Sequence, residues 1–217
     1  MAEREILIVG LGRFGSALAD TLVTLGHEVL AVDLDPRRVQ SAAAGGRQTV
    51  QADATDVEAM RQLGAPEFGT GVVAIGDDME ASILAASVLL ELKVPRVWAK
   101  AITERHGTIL QRLGVHRVVF PEHDMGVRMA HALTGRTLDF FALDTDFALA
   151  ETTVPAELAG RRLGEAGVRR RLGVTVVAVK TPGSTFRPAE AETVLERDDL
   201  LLVVGPLRPV EAFCRME

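Results

Sequence analysis

Hydrophobic and polar positions follow two alternating periods over the first two-thirds of the chain. Short apolar runs such as residues 6–9 (ILIV) predict buried strands, and the apolar residues of the following segment recur at helical spacing. The predicted strands are residues 6–9, 28–33, 48–52, 71–75, 96–100 and 117–120. Helices are predicted after each strand, beginning near Ser16, Pro36, Thr55 or Asp56, Asp77-Asp78, Thr103 and Pro121. Because crossovers between parallel strands are right-handed, this order predicts an α/β fold with a doubly wound parallel sheet of the Rossmann type.

The pattern changes near Thr134-Gly135-Arg136, and shorter elements follow. Alternating apolar residues predict strands at 140–143, 148–154, 174–179, near 185–187 and at 200–204, with a short helix at 162–168. We therefore predict two domains, a nucleotide-binding domain of residues 1–134 that includes a crossover helix, and a small α+β domain of residues 135–217. A domain of about 80 residues buries little apolar surface alone, so pairing of two copies through it is expected.

Composition narrows the class of protein. The 217 residues are 47% hydrophobic and carry a formal charge of −6, which argues against a nucleic-acid partner. No apolar stretch approaches the roughly 18 residues that cross a bilayer. The single cysteine, Cys214, cannot form an internal disulfide, which fits a reducing cytoplasm.

The glycines between the first strand and the first helix form a G-x-G-x-x-G motif, the dinucleotide fingerprint in its proper context. Gly10 is expected to permit the turn, Gly12 to let a pyrophosphate approach the backbone, and Gly15 to let helix and strand pack closely. Asp33 ends the second strand and is expected to accept ribose hydroxyls, which disfavours a 2′-phosphate. The alternative is that Asp33 caps the turn before Pro36.

Arg13 lies inside the phosphate loop, where a guanidinium can meet phosphate oxygens bidentately. This position favours ATP or ADP at least as much as NAD(H), although an ion pair within the helix would also explain an arginine here. The chain has no tyrosine, and no His–Asp or Cys–His arrangement points to a nicotinamide. We therefore predict a nucleotide-binding module rather than an enzyme.

Further candidates follow the predicted strands at the same sheet edge, where ligands of such folds bind. Turn chemistry would also explain Asp53, Ala54 and Gly76, a helix dipole would explain Glu122, and a snorkelling surface side chain would explain Lys100. The predicted nucleotide-binding residues are Gly10, Gly12, Arg13, Phe14, Gly15, Asp33, Asp53, Ala54, Ile75, Gly76, Lys100 and Glu122.

Taken together, the ordered motifs of the chain resemble those of the RCK (KTN) family, the regulatory subunits of Trk/Ktr-type potassium uptake systems. The resemblance covers essentially the whole chain, and no single motif carries it. The matching segments are residues 10–15 (GLGRFG), 26–33 (GHEVLAVD), 53–55, 74–78, 81–84, 99–101, 121–126 (PEHDMG), 154–163 and 198–205.

The resemblance implies a Rossmann lobe, a crossover helix and a C-terminal RCK domain, which pair into a homodimer and assemble into a ring, typically an octamer. The ring would lie on the cytoplasmic side of the membrane against a membrane potassium channel subunit. ATP and ADP would compete for the Rossmann site, with NAD(H) as the alternative ligand. By the same resemblance, Arg13 meets the terminal phosphates, Asp33 the ribose, and Glu122 a cation such as Mg²⁺ near the phosphates.

Some members of the family bind cyclic di-AMP between paired C-terminal domains. In this chain the resemblance directs attention to Arg161, Arg162 and the strand from Val174 for such a site.

Overall fold

The computed structural model of the chain describes residues 5–133 and 137–216. The chain divides into two compact units, Met1–Glu122 and His123–Glu217. The domain boundary expected between residues 134 and 135 falls on residues outside the described ranges, so it stays a prediction. None of the described helices combines the length and apolar content that crossing a bilayer requires.

A six-stranded parallel sheet forms the centre of the first unit, with strand order β3-β2-β1-β4-β5-β6. Its strands are β1 (Glu5–Val9), β2 (Glu28–Asp33), β3 (Gln48–Gln51), β4 (Thr70–Val73), β5 (Val97–Lys100) and β6 (Arg117–Val119). The helices that follow these strands are α1 (Arg13–Thr24), α2 (Pro36–Ala44), α3 (Val57–Gln62), α4 (Met79–Glu91), α5 (Glu104–Leu113) and α6 (Pro121–Leu133). The predicted doubly wound sheet is thereby confirmed.

Two apolar clusters, one containing Leu7 and one containing Ile8, hold this sheet between its helices. Both side chains are fully buried, because successive residues of a strand point to opposite faces and both faces here are covered. The helix starts are set by side chains that accept hydrogen bonds from first-turn N–H groups. These N-cap residues are Asp35, Asp56, Asp78 and Thr103.

The second unit contains a five-stranded sheet with strand order β10-β9-β11-β8-β7, in which every neighbouring pair is antiparallel. Its strands are β7 (Thr137–Ala142), β8 (Phe147–Thr153), β9 (Thr175–Lys180), β10 (Arg187–Pro188) and β11 (Leu200–Pro206). Its helices are α7 (Leu163–Ala166), α8 (Val168–Leu172) and α9 (Leu207–Cys214). This is the small α+β unit that the sequence predicts.

Two helical features of the second unit differ from the sequence prediction. The single helix predicted at 162–168 is two short helices, because Gly167 adopts a left-handed conformation with φ of 61°. Helix α9 was not predicted, because Gly205-Pro206 indicates the end of an element and Pro209 is a residue that usually interrupts a helix. Pro209 lies in the first turn of α9, where a backbone N–H has no intrahelical acceptor, so the helix tolerates it.

Candidate nucleotide-binding site

The predicted site residues lie where the parallel strands of the first unit end. Strand β1 lies between β2 and β4, and the chain order reverses between β1 and β4. This is the position at which open α/β sheets form a ligand crevice. The glycine motif follows β1, Asp33 ends β2, and Gly76 lies in the loop after β4.

The first and third glycines of the motif are required by the packing of the protein itself. Gly10 has a φ of 100°, and a Cβ there would approach the backbone nitrogen of Ile75 to 3.0 Å. A Cβ on Gly15 would overlap the carbonyl oxygen of Gly10 and lie 3.1 Å from Cβ of Ala74. The turn after β1, which lies against Ile75, therefore needs glycine at position 10, and the packing of α1 against that turn needs glycine at position 15.

Gly12 is different, because the protein gives no reason for a glycine there. Its φ of −68° suits any residue, and a Cβ would meet nothing within 4 Å. A glycine that faces open space is explained if a ligand binds close to the backbone at this position, where a side chain would block it.

The start of α1 offers backbone donors to an anion. Gly12 is its N-cap and provides no side-chain cap, and the first turn contains no acidic residue. Within residues 5–133, the N–H groups of Gly12, Arg13 and Phe14 have no protein acceptor, and the first helical bond runs from Ser16 to Gly12. Unpaired N–H groups and the positive end of the helix dipole together suit a phosphate.

Asp33 is buried, with 7% of its surface exposed, and its carboxylate holds the loop together. Oδ2 accepts from the N–H of Leu11 at 2.6 Å, and Oδ1 accepts from the N–H of Asp35 at 2.8 Å. The second bond is the turn contact that the alternative interpretation expects. Each oxygen keeps a lone pair for a further donor, so a ribose contact stays a prediction.

Lys100 is buried rather than exposed at the surface, which contradicts the snorkelling alternative. Its Nζ lies 2.6 Å from Oε1 of Glu122 and 5.9 Å from the ring centroid of Phe14. The ammonium occupies the space beside Gly76, where a Cβ would lie 2.6 Å from Nζ. The structure thus brings Phe14, Gly76 and Glu122 together around the ammonium of Lys100.

The Lys100–Glu122 pair can be tested through protonation. Lys100 is the main cause of the lowered pKa of Glu122, because its ammonium donates a hydrogen bond to the carboxylate. We expect Lys100→Met to raise the pKa of Glu122 towards its ordinary value, as followed by carbon NMR titration of the Glu122 carboxyl. Because the pKa of Glu122 is lowered in the folded state, its ionised carboxylate stabilises the fold at pH values above its unfolded-state pKa. This contribution is lost as the pH falls through the folded-state pKa. Lys180→Met is the matched control, and an unchanged pKa of Glu122 in Lys100→Met would refute the pairing.

Arg13 is exposed at the first position of α1. No ion pair involves it within the described part of the first unit, so the intrahelical pair considered as an alternative is not observed there. Its positive charge is the smallest of the causes that lower the pKa of Glu122.

Asp53 and Ala54 lie in the loop after β3. Oδ1 of Asp53 accepts from both the N–H and the hydroxyl of Thr55, at 2.9 and 2.7 Å, and these bonds lower its pKa. Turn chemistry therefore accounts for Asp53, as its alternative interpretation allows, while Ala54 is buried in the core. Their contact with a nucleotide stays a prediction.

Arg38, in the first turn of α2, was not among the predicted site residues. Its guanidinium lies 2.9 Å from Asp77 and 3.6 Å from Asp33, so it joins the loops after β4 and β2. Its position five residues beyond the acidic end of β2 was the available signal, because an arginine near that acid can reach the ribose.

Among residues 5–133 and 137–216, no group of three or more His, Cys, Asp or Glu side chains is arranged to hold a metal ion. Glu122 therefore belongs to no such group among these described residues. A cation at Glu122 would need ligands from elsewhere, such as phosphate oxygens or a second copy.

Comparison with known proteins agrees with this geometry. The family model of the TrkA-N domain matches residues 6–121, and that of the TrkA-C domain matches residues 149–216. Ktr system potassium uptake protein A of Bacillus subtilis is 31% identical over 97% of this chain and 96% of its own length. The protein of the same name from Vibrio alginolyticus is 35% identical over 94% of this chain and 93% of its own.

Solved structures with the same fold include the GsuK channel, with a TM-score of 0.72, and the GsuK RCK domain, with a TM-score of 0.70. Both are 21% identical to this chain and cover 99% and 98% of it. The chain spans 40% and 48% of those two structures, so they indicate its fold.

Proposed function

Because the chain belongs to the TrkA family of Ktr and Trk potassium uptake proteins, we propose that it is the nucleotide-sensing regulatory subunit of a potassium uptake system. Its relatives at 31% and 35% identity are potassium uptake proteins matched over nearly their whole length. The observation that carries nucleotide sensing is the open phosphate loop, in which Gly12 faces free space and the first N–H groups of α1 lack acceptors.

The ligand of this site is an adenine nucleotide, with ATP and ADP as the competing pair. Arg13 lies at the first position of α1, beside the phosphate loop, and forms no ion pair within the described residues of its unit. Its guanidinium is therefore available to a terminal phosphate. Lys100 and Glu122 lie at the same edge, and Mg²⁺ bound with the phosphates would be held by Glu122. NAD(H) is the second candidate ligand, and the structural relative GsuK has been solved bound to NAD and bound to ADP.

The subunit acts as a homodimer that assembles into a ring, an octamer in this proposal, at the cytoplasmic face of a membrane potassium channel subunit. We assign a regulatory role rather than catalysis, because the relatives at 31% and 35% identity are potassium uptake proteins. A second ligand, cyclic di-AMP, is assigned to the paired C-terminal domains near Arg161 and Arg162.

Regulation then follows from binding linkage. ATP and ADP can shift the ring between two states only by the difference between their affinities for those states. The γ-phosphate is the group that distinguishes the two nucleotides, so the residue that meets it supplies the difference. We assign that role to Arg13.

Arg13→Ala is expected to lower the affinity for ATP about tenfold or more and to change the affinity for ADP much less, because hydrogen bonds to charged groups contribute about 1.5–3 kcal/mol. Calorimetric titration of the purified chain with ATP and ADP, with and without Mg²⁺, measures both. Small-angle scattering of the two complexes reports whether the assembly changes shape.

Arg112→Ala is the matched control, because Arg112 is an exposed arginine in the last turn of α5. Its replacement removes the same charge at the edge of the sheet where the strands begin, away from the site. Equal losses for ATP and ADP in Arg13→Ala would contradict the role of Arg13. Preference of the unmodified chain for NADH, with no change of shape, would favour a redox sensor instead.

A further inference from the structure

Arg38 lies among three carboxylates at the end of the site nearest β2. Its guanidinium nitrogens are 2.9 Å from Oδ2 of Asp77, 3.6 Å from Oδ2 of Asp33 and 3.9 Å from Oδ2 of Asp35. The bond to Asp77 is the closest of the three and joins residues 39 positions apart in the chain.

The position of this contact relates it to the ribose. Asp33 ends β2 and Asp77 follows β4, and these two strands flank β1 and its glycine loop. Arg38 therefore reaches from the acid at the end of β2 to the loop on the other side of the crevice. In sheets of this type, the acid at the end of β2 accepts a hydrogen bond from the ribose 2′-hydroxyl. Where the nucleotide carries a 2′-phosphate, a nearby arginine binds it.

The charges explain why Arg38 does not serve a phosphate in this arrangement. Asp77 accepts a hydrogen bond from the guanidinium, and this bond is the main cause of the lowered pKa of Asp77. Three carboxylates lie within 4 Å of one guanidinium, so the local charge is negative, and the hydrogen bond to Asp77 holds the guanidinium at that carboxylate. A 2′-phosphate would meet repulsion rather than a free cation.

We propose that Asp77 sets the specificity at the ribose end of the nucleotide site by holding Arg38, the cation that would otherwise receive a 2′-phosphate. By holding Arg38, Asp77 makes the site select nucleotides with a free 2′-hydroxyl over those with a 2′-phosphate. This inference rests on the proposed nucleotide site. The Arg38–Asp77 pair thereby acts beside Asp33, the single acid at the end of β2, in selecting the ribose.

The test compares 5′-AMP with adenosine 2′,5′-bisphosphate, which differs only by the 2′-phosphate. Inhibition constants are measured by competition with a fluorescent ADP on the purified full chain. We expect the unmodified chain to prefer AMP, and Asp77→Ala to shift the ratio of the two constants about tenfold or more towards the bisphosphate, because a freed guanidinium forms charge-assisted hydrogen bonds with phosphate. Asp77 is exposed, so the variant is expected to fold.

Two further variants separate the mechanism from a general change of charge. Glu80→Ala removes the same charge from an exposed position three residues away and is expected to leave the ratio unchanged. Asp77→Ala combined with Arg38→Ala is expected to return the ratio to that of the unmodified chain.

Each outcome decides the proposal. A ratio in Asp77→Ala that equals that of Glu80→Ala overturns it, as does a shift that survives removal of Arg38. Absence of fluorescent ADP binding to the unmodified chain overturns the proposed function itself. Normal ADP binding with an unshifted ratio overturns only the role of Asp77 and Arg38.

Discussion

Gly12→Ala is expected to leave the fold intact and to lower nucleotide affinity about a hundredfold, because a methyl group would displace the phosphate from at least two charge-assisted hydrogen bonds. The backbone at Gly12 has a φ of −68° and a ψ of −173°, which alanine adopts readily. The new Cβ would meet no protein atom within 4 Å. Replacing glycine where alanine fits reduces the entropy of the unfolded chain, so thermal stability should be equal or slightly higher.

The measurement combines thermal unfolding without ligand and calorimetric titration with ATP and ADP. Gly126→Ala is a suitable control, because this glycine of α6 also faces open space but lies outside the glycine loop. Unchanged affinity in Gly12→Ala would show that no phosphate approaches Gly12. A fall in the unfolding temperature would show that the protein itself requires glycine there.

Much of the first unit could be predicted from the sequence because its signals are local. An apolar run followed by glycine or by an acid marks β1, β2 and β4. The predicted cap at Thr103 is observed, and of the two predicted cap candidates Thr55 and Asp56 the structure has Asp56. Helix α9 could not be predicted in this way, because a proline is neutral in a first helical turn and disruptive further on. Only the observed helix start decides between the two.

The site was predictable in its location and less so in its contacts. Strand order places the loops at one edge, so residues such as Asp33 and Glu122 could be identified from their positions after strands. Contacts between distant residues depend on side-chain conformation. The Arg38–Asp77 bond and the burial of Lys100 beside Gly76 are of this kind, and nothing in the local sequence specifies either.

The three glycines of the motif illustrate the difference between structural and functional requirements. Gly10 and Gly15 are demanded by positive φ and by close packing, whereas Gly12 is demanded by neither. A sequence motif treats the three alike, because it reports only residue identity. The structure separates them, and this separation leads to opposite expectations for two otherwise identical substitutions.

Gly15→Ala is therefore expected to destabilise the chain, in contrast to Gly12→Ala. The added Cβ would overlap the carbonyl oxygen of Gly10, which is a backbone atom that cannot rotate away. Helix α1 would have to move from β1, and overpacking of this kind typically costs about 1–3 kcal/mol or more.

For a chain of this size, such a loss is expected to lower the unfolding temperature of Gly15→Ala by about 5 °C or more. Nucleotide affinity should fall as well, because α1 carries the N–H groups that face the phosphate. Thermal unfolding of Gly12→Ala and Gly15→Ala under the same conditions makes the comparison, since both replace a glycine of one loop by alanine. An unfolding temperature of Gly15→Ala equal to that of Gly12→Ala would mean that α1 does not pack against Gly10 as described. A lower temperature for Gly15→Ala alone would assign the third glycine to packing and leave the second to the ligand.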